Sequence, residues 1–197
     1  EALRSVSRLR RKIVKRETQL KCRIKSFCYY HGIKIPERDE LYHWSKPFIN
    51  YLHLIDFKQN HYKYYFDCLL DELDYQRKRK LNTLKKIRLI YRSNKQIQYI
   101  KSVIGIGPLT AFTIYAELMD INRFPHLDHL ASMVGLIPSV DSSGEKETIK
   151  GITNRHNKHL RYMLVEVAWI AVREDPALTH AFNKLCKRMS RQKQLLK

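Results

Sequence analysis

Apolar residues recur at helical spacing along the first thirty residues. Two adjoining seams repeat every seven positions, one at Val6, Ile13, Leu20 and Phe27 and the other at Leu3, Arg10, Glu17 and Ile24. This heptad-like spacing predicts a helix over residues 3–30. The polar seam positions favour a short antiparallel pairing with another helix of the same chain over a long parallel zipper. Gly32 and Pro36 then stop the helix, because glycine tolerates a left-handed turn and proline cannot continue a helix.

A second long helix is predicted from residue 62 to about residue 92. Its apolar stripe keeps helical spacing at Leu69, Leu70, Leu73, Leu81, Leu84, Ile87 and Tyr91. A shorter helix over residues 44–60 precedes it, with Ser45 as a candidate N-cap and Pro47 in the first turn. We expect the two long helices to pack as an antiparallel coiled-coil hairpin. The tyrosines that open the second helix suit stacking on unpaired bases, but at helical spacing they are more often core or helix-pairing residues.

The composition changes after residue 94, where glycine, serine and acidic residues appear. Helical patterns follow over residues 95–102, 108–119, 126–134, 157–173 and 176–190, with an irregular segment over residues 137–156. No run shows convincing strand alternation. The predicted fold class is therefore all-α, with a coiled-coil hairpin over residues 1–94 and a compact helical domain over residues 95–197.

The charge is strongly positive and comes in blocks. The chain holds 38 lysines and arginines against 19 acidic residues, a formal net charge of +19, and residues 76–101 hold 10 basic and no acidic side chains. Such a field favours a polyanion, of which nucleic acid is the commonest inside cells, although a solvated basic face with nonspecific RNA affinity is the plainer reading. Hydrophobic residues at 44% exclude a wholly disordered basic tail.

Three further features bound the class of protein. No stretch reaches the roughly 18 apolar residues of a membrane span, and no signal peptide is evident, so we expect a soluble protein of the cytoplasm without a membrane partner. The four cysteines are scattered, which predicts reduced thiols and no zinc. A first residue of Glu rather than Met suggests a processed chain or a fragment of a longer protein.

The segment 103–111 has two glycines one residue apart, followed by a proline at the expected first position of a helix. Free N–H groups at Gly105 and Gly107, reinforced by the helix N-terminus that carries Thr110, suit phosphate binding without sequence readout. This pattern matches the hairpin of helix-hairpin-helix DNA-binding modules. The alternative is a tight turn between two helices that serves packing alone.

The segment 135–161 is long and polar, and it carries Ser142 and Ser143 directly before a glycine. Cations follow at Lys146, Lys150, Arg155, Lys158 and Arg161, with His156 and His159 among them. Hydroxyls beside cations suit phosphoryl chemistry, in which the hydroxyl attacks and the cations stabilise charge on the phosphate. From the residues alone, a Ser-Gly turn leading into a capped helix is the favoured interpretation.

The order of motifs along the chain favours phosphoryl chemistry over a simple turn. Ser102–Ala111, Phe124–Ala131, Gly135–Pro138, Ser142–Gly144, Gly151–Thr153, Leu160-Arg161 and Ala168-Trp169 together resemble the C-terminal transposase domain of a bacterial insertion-sequence family. It is the family of bridge-RNA-guided recombinases, related to pilin-gene invertases. The resemblance covers residues 95–185, and the preceding helices resemble the coiled-coil region of that family.

The resemblance implies a DNA transposase or recombinase in which a serine attacks the scissile phosphate and forms a covalent phosphoserine. It points to Ser143 as the nucleophile, with Ser142 as the fallback, and to a bacterial, nucleoid-associated protein. It implies double-stranded DNA and a noncoding guide RNA as partners, and a homo-oligomer, dimer to tetramer, whose active sites combine residues of two protomers. No metal site or cofactor is expected in this chain, since the family holds magnesium in an N-terminal RuvC-like domain.

The chain departs from the family pattern in two places. No carboxylate quartet replaces the RuvC-like domain, so we expect the isolated chain to be inactive in strand cleavage. His156 also replaces a glycine of the usual turn.

Phosphate contacts are expected from Lys150, Arg155, Lys158 and Arg161, although the arginines could instead pair with Glu145, Glu147 or Glu166. The competing hypothesis is a noncatalytic DNA- or RNA-binding or oligomerisation module of a mobile element.

Overall fold

The computed structural model describes residues 1–143, 146–153 and 156–187, with residues 140–143 and 146–150 described by their backbone. The chain divides into two compact units. Arg8–Lys86 forms one, called here the coiled-coil unit, and Glu1–Ser7 with the chain from Ile87 onward forms the other, called the compact unit. The domain limits of 1–94 and 95–197 stay predictions, since a compact unit is not by itself evidence of independent folding.

Three helices build the coiled-coil unit. Helix α1 covers Ala2–Tyr30, α2 covers Lys46–Leu54 and α3 covers Asn60–Ser93, and the long helices continue into the compact unit. The predicted antiparallel pairing of α1 with α3 is confirmed. Ser45 caps α2, since its hydroxyl accepts the N–H of Phe48.

The core of this unit follows the predicted seams closely. Ile13, Leu20 and Ile24 are buried on α1, as the heptad spacing requires. The prediction that Leu81 belongs to the packed apolar stripe of α3 is wrong, because this side chain is 57% exposed. Gln76 and Thr83 are buried on α3 instead, and Thr83 satisfies its hydroxyl by donating to the carbonyl of Arg79.

The polar side chains within the packed seam of α1 are either paired with opposite charges or partly buried by neighbouring side chains. Glu17 is 4% exposed and binds the amines of Lys21 and Lys80. Burial raises the pKa of this carboxyl, but the two lysines outweigh burial and the net pKa is lowered. Burial also lowers the pKa of the Arg10 guanidinium and raises that of the Cys28 thiol to about 11, so Cys28 serves as a core side chain.

The compact unit contains five short helices, a two-stranded sheet and a 3-10 turn. Its apolar core lies in two neighbouring groups, one centred on Phe112 and Ile97 and the other on Val134 and Leu160. The helices are α4 Lys95–Lys101, α5 Pro108–Leu118, α6 Leu127–Val134, α7 Lys158–Glu174 and α8 Pro176–Cys186, and the 3-10 turn is Ile121–Arg123. The predicted helices are confirmed, and the stretch 188–190 predicted to extend α8 lies outside the described residues.

A β-hairpin lies where the sequence predicts an irregular segment. Strand β1 covers Pro138–Ser143 and pairs antiparallel with β2, Lys146–Ile152. The ladder carries an irregularity between Pro138 and Val140, where two steps along β1 face three steps along β2, from Ile152 to Ile149. The fold class stays helical, with this hairpin as the correction.

Within the described ranges, no helix combines the length and the apolar character that a bilayer crossing needs.

Candidate active site on the hairpin between α6 and α7

The hairpin leaves the helical core at a sharply ended α6. Gly135 ends that helix in the left-handed region at φ 83°, where its N–H and that of Leu136 both return to the carbonyl of Ala131 at 2.8 Å. This double return satisfies the last carbonyls of the helix and turns the chain into β1. At the far end of the hairpin, the N–H of Thr153 donates to the carbonyl of Ile137 at 3.2 Å. The base of the hairpin is therefore closed by backbone hydrogen bonds.

Arg161, in the first turn of α7, fastens both ends of this base. Its Nη1 atom donates to the carbonyl of Gly135 at 3.0 Å and to the carbonyl of Thr153 at 3.3 Å. Gly135 precedes β1 and Thr153 follows β2, so one guanidinium holds the entry and the exit of the hairpin. The sequence predicts Arg161 as a phosphate ligand, and the structure places at least one of its nitrogens in this protein contact.

His156 packs directly against Gly135. A Cβ atom added at Gly135 would lie 2.3 Å from Cβ of His156 and 2.7 Å from its Cγ. Together with the positive φ of Gly135, this close approach makes glycine necessary at position 135. His156 is thus placed as a packing residue of the hairpin base, beside the arginine clamp.

A buried polar network ties the start of α7 to α5 and α1. Asn157 caps α7 through the N–H of Leu160, and its side-chain amide donates to Oε2 of Glu117 at 2.9 Å. Glu117 is 1% exposed. Arg4 donates from Nη2 to the carbonyl of Glu117 at 2.9 Å, and its Nε lies 3.5 Å from Oε2.

The same asparagine also reaches α6, because its backbone N–H donates to the carbonyl of Met133 at 3.0 Å. The hairpin base therefore rests on four helices. Glu117 is a residue that the sequence analysis missed. The signal for it was a lone carboxylate within the otherwise apolar helix Pro108–Leu118, since a buried charge in such a helix needs a specific partner.

The two candidate nucleophiles lie at the tip of the hairpin. Ser143 pairs in register with Lys146 and Ser142 with Glu147, so Ser143 is the last residue of β1 before the turn. Lys150 lies further down β2, within the same ladder. Lys158 is exposed at the first position of α7. Arg155 and Glu145 lie outside the described residues.

The predicted helix-hairpin-helix turn joins α4 to α5. Gly105 has φ 84°, and the N–H of Ile106 donates to the carbonyl of Val103 across the turn. A Cβ at Gly105 would lie 2.8 Å from the carbonyl oxygen of Val167 on α7. The glycine at position 105 is thus explained by its own backbone angle and by close packing on α7.

The second glycine of the turn is in a different setting. Gly107 begins α5 as its N-cap, and a Cβ there would meet no atom within 4 Å. Among the described residues, the N–H groups of Gly107, Leu109 and Thr110 donate no hydrogen bond outside the helix. Open space and unused donors at a helix start allow an anion to approach.

In the part of the chain that the structure describes, no three His, Cys, Asp or Glu side chains converge.

Comparison with known proteins finds a family model that is similar to part of this chain. Residues 97–183 match the model described as "Transposase IS116/IS110/IS902 family". This range begins in α4 and ends in α8, so it includes the glycine turn, the hairpin and the clamp of α7.

Curated relatives agree with that match. The transposase for insertion sequence element IS1111A of Coxiella burnetii is 26% identical over 166 residues, which are 84% of this chain and 45% of that protein. A probable family 20 transposase of Pseudomonas aeruginosa is 30% identical over 53% of this chain and 31% of its own length. The transposase for IS1328 of Yersinia enterocolitica is 34% identical over 36% of this chain and 21% of its own. The chain thus spans less than half the length of these relatives, and its match to the transposase family model covers residues 97–183.

Proposed function

We propose that this chain is the coiled-coil and transposase-domain portion of a DNA transposase, and that Ser143 is its nucleophile. The observation that carries the proposal is the position of Ser143 at the tip of a hairpin whose two ends are fastened to a helical core. The family match supports transposition, and the motif order in the sequence supports the serine mechanism.

A nucleophile reacts fastest when the structural elements that support it are already fixed before the substrate binds. The clamp of Arg161 on Gly135 and Thr153 and the cap of Asn157 on Glu117 supply such a fixed base. The backbone register places Ser143 nearer the tip of the hairpin than Ser142.

In the proposed step, Oγ of Ser143 attacks the scissile phosphorus of DNA. An Oγ–P bond forms as the P–O bond to one deoxyribose breaks. The serine hydroxyl loses its proton and the departing sugar oxygen gains one, so the phosphodiester is conserved as a phosphoserine. Lys150, Arg155 and Lys158 supply positive charge for the phosphate oxygens, while the open N–H groups of Gly107 and Thr110 grip the neighbouring DNA backbone with Gly105 shaping the turn.

The resemblance also supports the remaining parts of the proposal. Double-stranded DNA is the substrate, a noncoding guide RNA selects the sites, and a homo-oligomer brings the serine of one protomer to the carboxylates of another. Magnesium belongs with those carboxylates in a RuvC-like domain. The high positive charge of the chain is compatible with both nucleic-acid partners.

Covalent trapping tests the nucleophile. The natural full-length protein is incubated with its RNA and a nicked suicide DNA, and the DNA-linked peptide is mapped by mass spectrometry. We expect an adduct on Ser143, and we expect Ser143→Ala to abolish strand exchange while RNA binding is nearly unchanged. Ser142→Ala is the matched control, because it alters the neighbouring serine.

Other outcomes separate the candidates. An adduct on Ser142 would keep the mechanism and move the nucleophile by one residue. Recombination by the Ser143→Ala, Ser142→Ala double variant, with no adduct, would favour the noncatalytic binding or oligomerisation module. Two observations give that second candidate some weight, since packing explains Gly105 and hydrogen bonds to carbonyls occupy Arg161.

A further inference from the structure

The coiled-coil unit carries a concentration of aromatic side chains at the end where α1 finishes and α3 begins. We call this surface the aromatic end and define it as residues 27–31 and 57–66. Its rings belong to Phe27, Tyr29, Tyr30, His31, Phe57, Tyr62, Tyr64, Tyr65 and Phe66. The transposase proposal makes no use of these side chains.

An inner layer of rings supports an outer one. The ring of Phe27 lies 5.2 Å from that of Tyr65 and 5.8 Å, in a stacked arrangement, from the buried ring of Phe66. His31 lies 4.4 Å from Tyr62 and 5.1 Å from Tyr30. The rings of Tyr30, Tyr62 and Tyr65 therefore have aromatic partners on their inner side that restrict their motion.

The outer rings are open to solvent. Tyr30 is 85% exposed, Tyr64 is 74% exposed and Tyr29 is 67% exposed, while Tyr62 and Tyr65 are partly covered. No described hydrogen bond involves the hydroxyl of any of these five tyrosines. By contrast, Tyr51 donates its hydroxyl to the carbonyl of Lys34 in the same unit. Ring contacts hold Tyr30, Tyr62 and Tyr65 in place, and Tyr29 and Tyr64 add exposed rings beside them.

The charge around the aromatic end favours a polyanion. Residues 8–86 hold 20 basic and 9 acidic side chains. Lys34, Lys58 and His61 lie in or next to the aromatic end, and the adjacent carboxylate of Asp56 accepts the N–H of Phe57 at 2.8 Å. The nearby carboxylate of Asp67 is bound by Lys63 at 3.0 Å, so it adds little free negative charge.

We propose that the aromatic end binds unpaired bases of a single-stranded nucleic acid by stacking. Every base has an aromatic face, and tyrosine rings beside cations accept bases without reading sequence. A second copy of this chain is a poorer occupant, because two units with such an excess of positive charge repel one another. The proposal goes beyond the serine chemistry, and it stands or falls independently of Ser143.

The test uses the 197-residue chain and 12-nucleotide probes of mixed sequence that carry 2-aminopurine, a base whose fluorescence falls on stacking. Single-stranded RNA, single-stranded DNA and the matched duplex form three arms. We expect both single strands to bind more tightly than the duplex, with quenching of the probe. A preference for RNA over DNA would identify the source of the bound strand.

The variants are Tyr30→Leu and Tyr64→Leu, which remove a ring and keep an apolar side chain. We expect each to weaken single-strand binding about tenfold, the order of one lost stacked base, and to reduce quenching. Tyr30→Phe and Tyr64→Phe should retain both. Tyr75→Leu is the matched control, because Tyr75 is also exposed on α3 but lies outside the aromatic end.

Folding is checked by circular dichroism for every variant, and the Phe variants distinguish loss of a ring from loss of structure. Equal quenching of the duplex and single-strand probes, or unchanged affinity and quenching for single strands in both Leu variants, would overturn the proposal. So would a change of oligomeric state in the Leu variants that accounts for any loss of binding.

Discussion

The two units of the chain each bury one carboxylate, and they hold it in different ways. Glu17 of the coiled-coil unit is bound by the amines of Lys21 and Lys80, both on long flexible side chains at the edge of the seam. Glu117 of the compact unit is bound by the capping amide of Asn157 and by Arg4. The first arrangement joins two helices, α1 and α3, whereas the second joins three, α5, α7 and α1.

The difference concerns what each carboxylate positions. Lysine is a point charge on a flexible stem, so the contacts of Glu17 tolerate small shifts along the coiled coil. Asn157 has one orientation in which it caps α7 through Leu160 and donates to Glu117 at once. The carboxylate of the compact unit therefore fixes the start of α7, and with it the residue Arg161 that clamps the hairpin. The buried carboxylate of the coiled-coil unit holds two helices together, whereas that of the compact unit positions the start of α7.

The two tryptophans of the chain allow the units to be followed separately. Trp44 lies in the coiled-coil unit and Trp169 in the compact unit. Trp44→Phe and Trp169→Phe backgrounds each leave one fluorescent reporter, and urea unfolding in each background measures one unit.

The largest effect is expected from Glu117→Ala. Removal of this buried carboxylate leaves the side-chain amide of Asn157 and the Nε atom of Arg4 without their charged partner, which costs about 3–5 kcal/mol of unfolding free energy. The Trp169 reporter should record this loss while the Trp44 reporter changes little. Glu174→Ala, an exposed change on α7, serves as the control. An equal loss from both reporters would break the comparison, because it would place Glu117 in a network shared by the whole molecule.

A smaller effect is expected from Arg161→Met. This change keeps an apolar stem and removes the donors to the carbonyls of Gly135 and Thr153, with an expected loss of about 1.5–3 kcal/mol. Hydrogen exchange at the N–H of Thr153 should accelerate, since this group closes the hairpin base. Lys184→Met on α8 provides the control. Unchanged exchange at Thr153 would mean that the backbone hydrogen bonds alone hold the base.

The smallest effect is expected from Glu17→Gln, at about 1 kcal/mol near neutral pH, because both lysines are partly solvated. The folded-state pKa of Glu17 is lowered, so its stabilisation is present above its ordinary pKa of 4.5 and is lost as the pH falls through the folded value. The difference between wild type and variant, read from Trp44, should therefore shrink from pH 4.5 downward. Asp71→Asn is the matched control, and a difference that grows on acidification would contradict the assignment.

Local chemistry made most of the helical fold predictable. The seam of α1, the cap at Ser45 and the proline start of α5 depend on neighbours within one or two turns, so the sequence displays them directly. Leu81 shows the limit of that reasoning. Its apolar character fits the stripe of α3, but the packing of α1 selects Gln76 and Thr83 for burial instead.

The hairpin and its base were beyond local reasoning. Strands β1 and β2 contain few apolar residues, and nothing in their own pattern alternates enough to predict a ladder. The contacts that fix the base join residues as far apart as Asn157 and Glu117, which are 40 positions apart in sequence. Motif order located the serines at Ser142 and Ser143, but their catalytic roles and the phosphate roles of the cations stay predictions.

The clamp of Arg161 has a consequence for the evolution of this domain. Both groups that it holds are main-chain carbonyls, which every amino acid provides. Mutations within the stretch between them can therefore accumulate without cutting its anchorage to the helices. A lineage of such proteins is free to diversify the sequence of the hairpin, provided that the arginine and the glycine at position 135 persist.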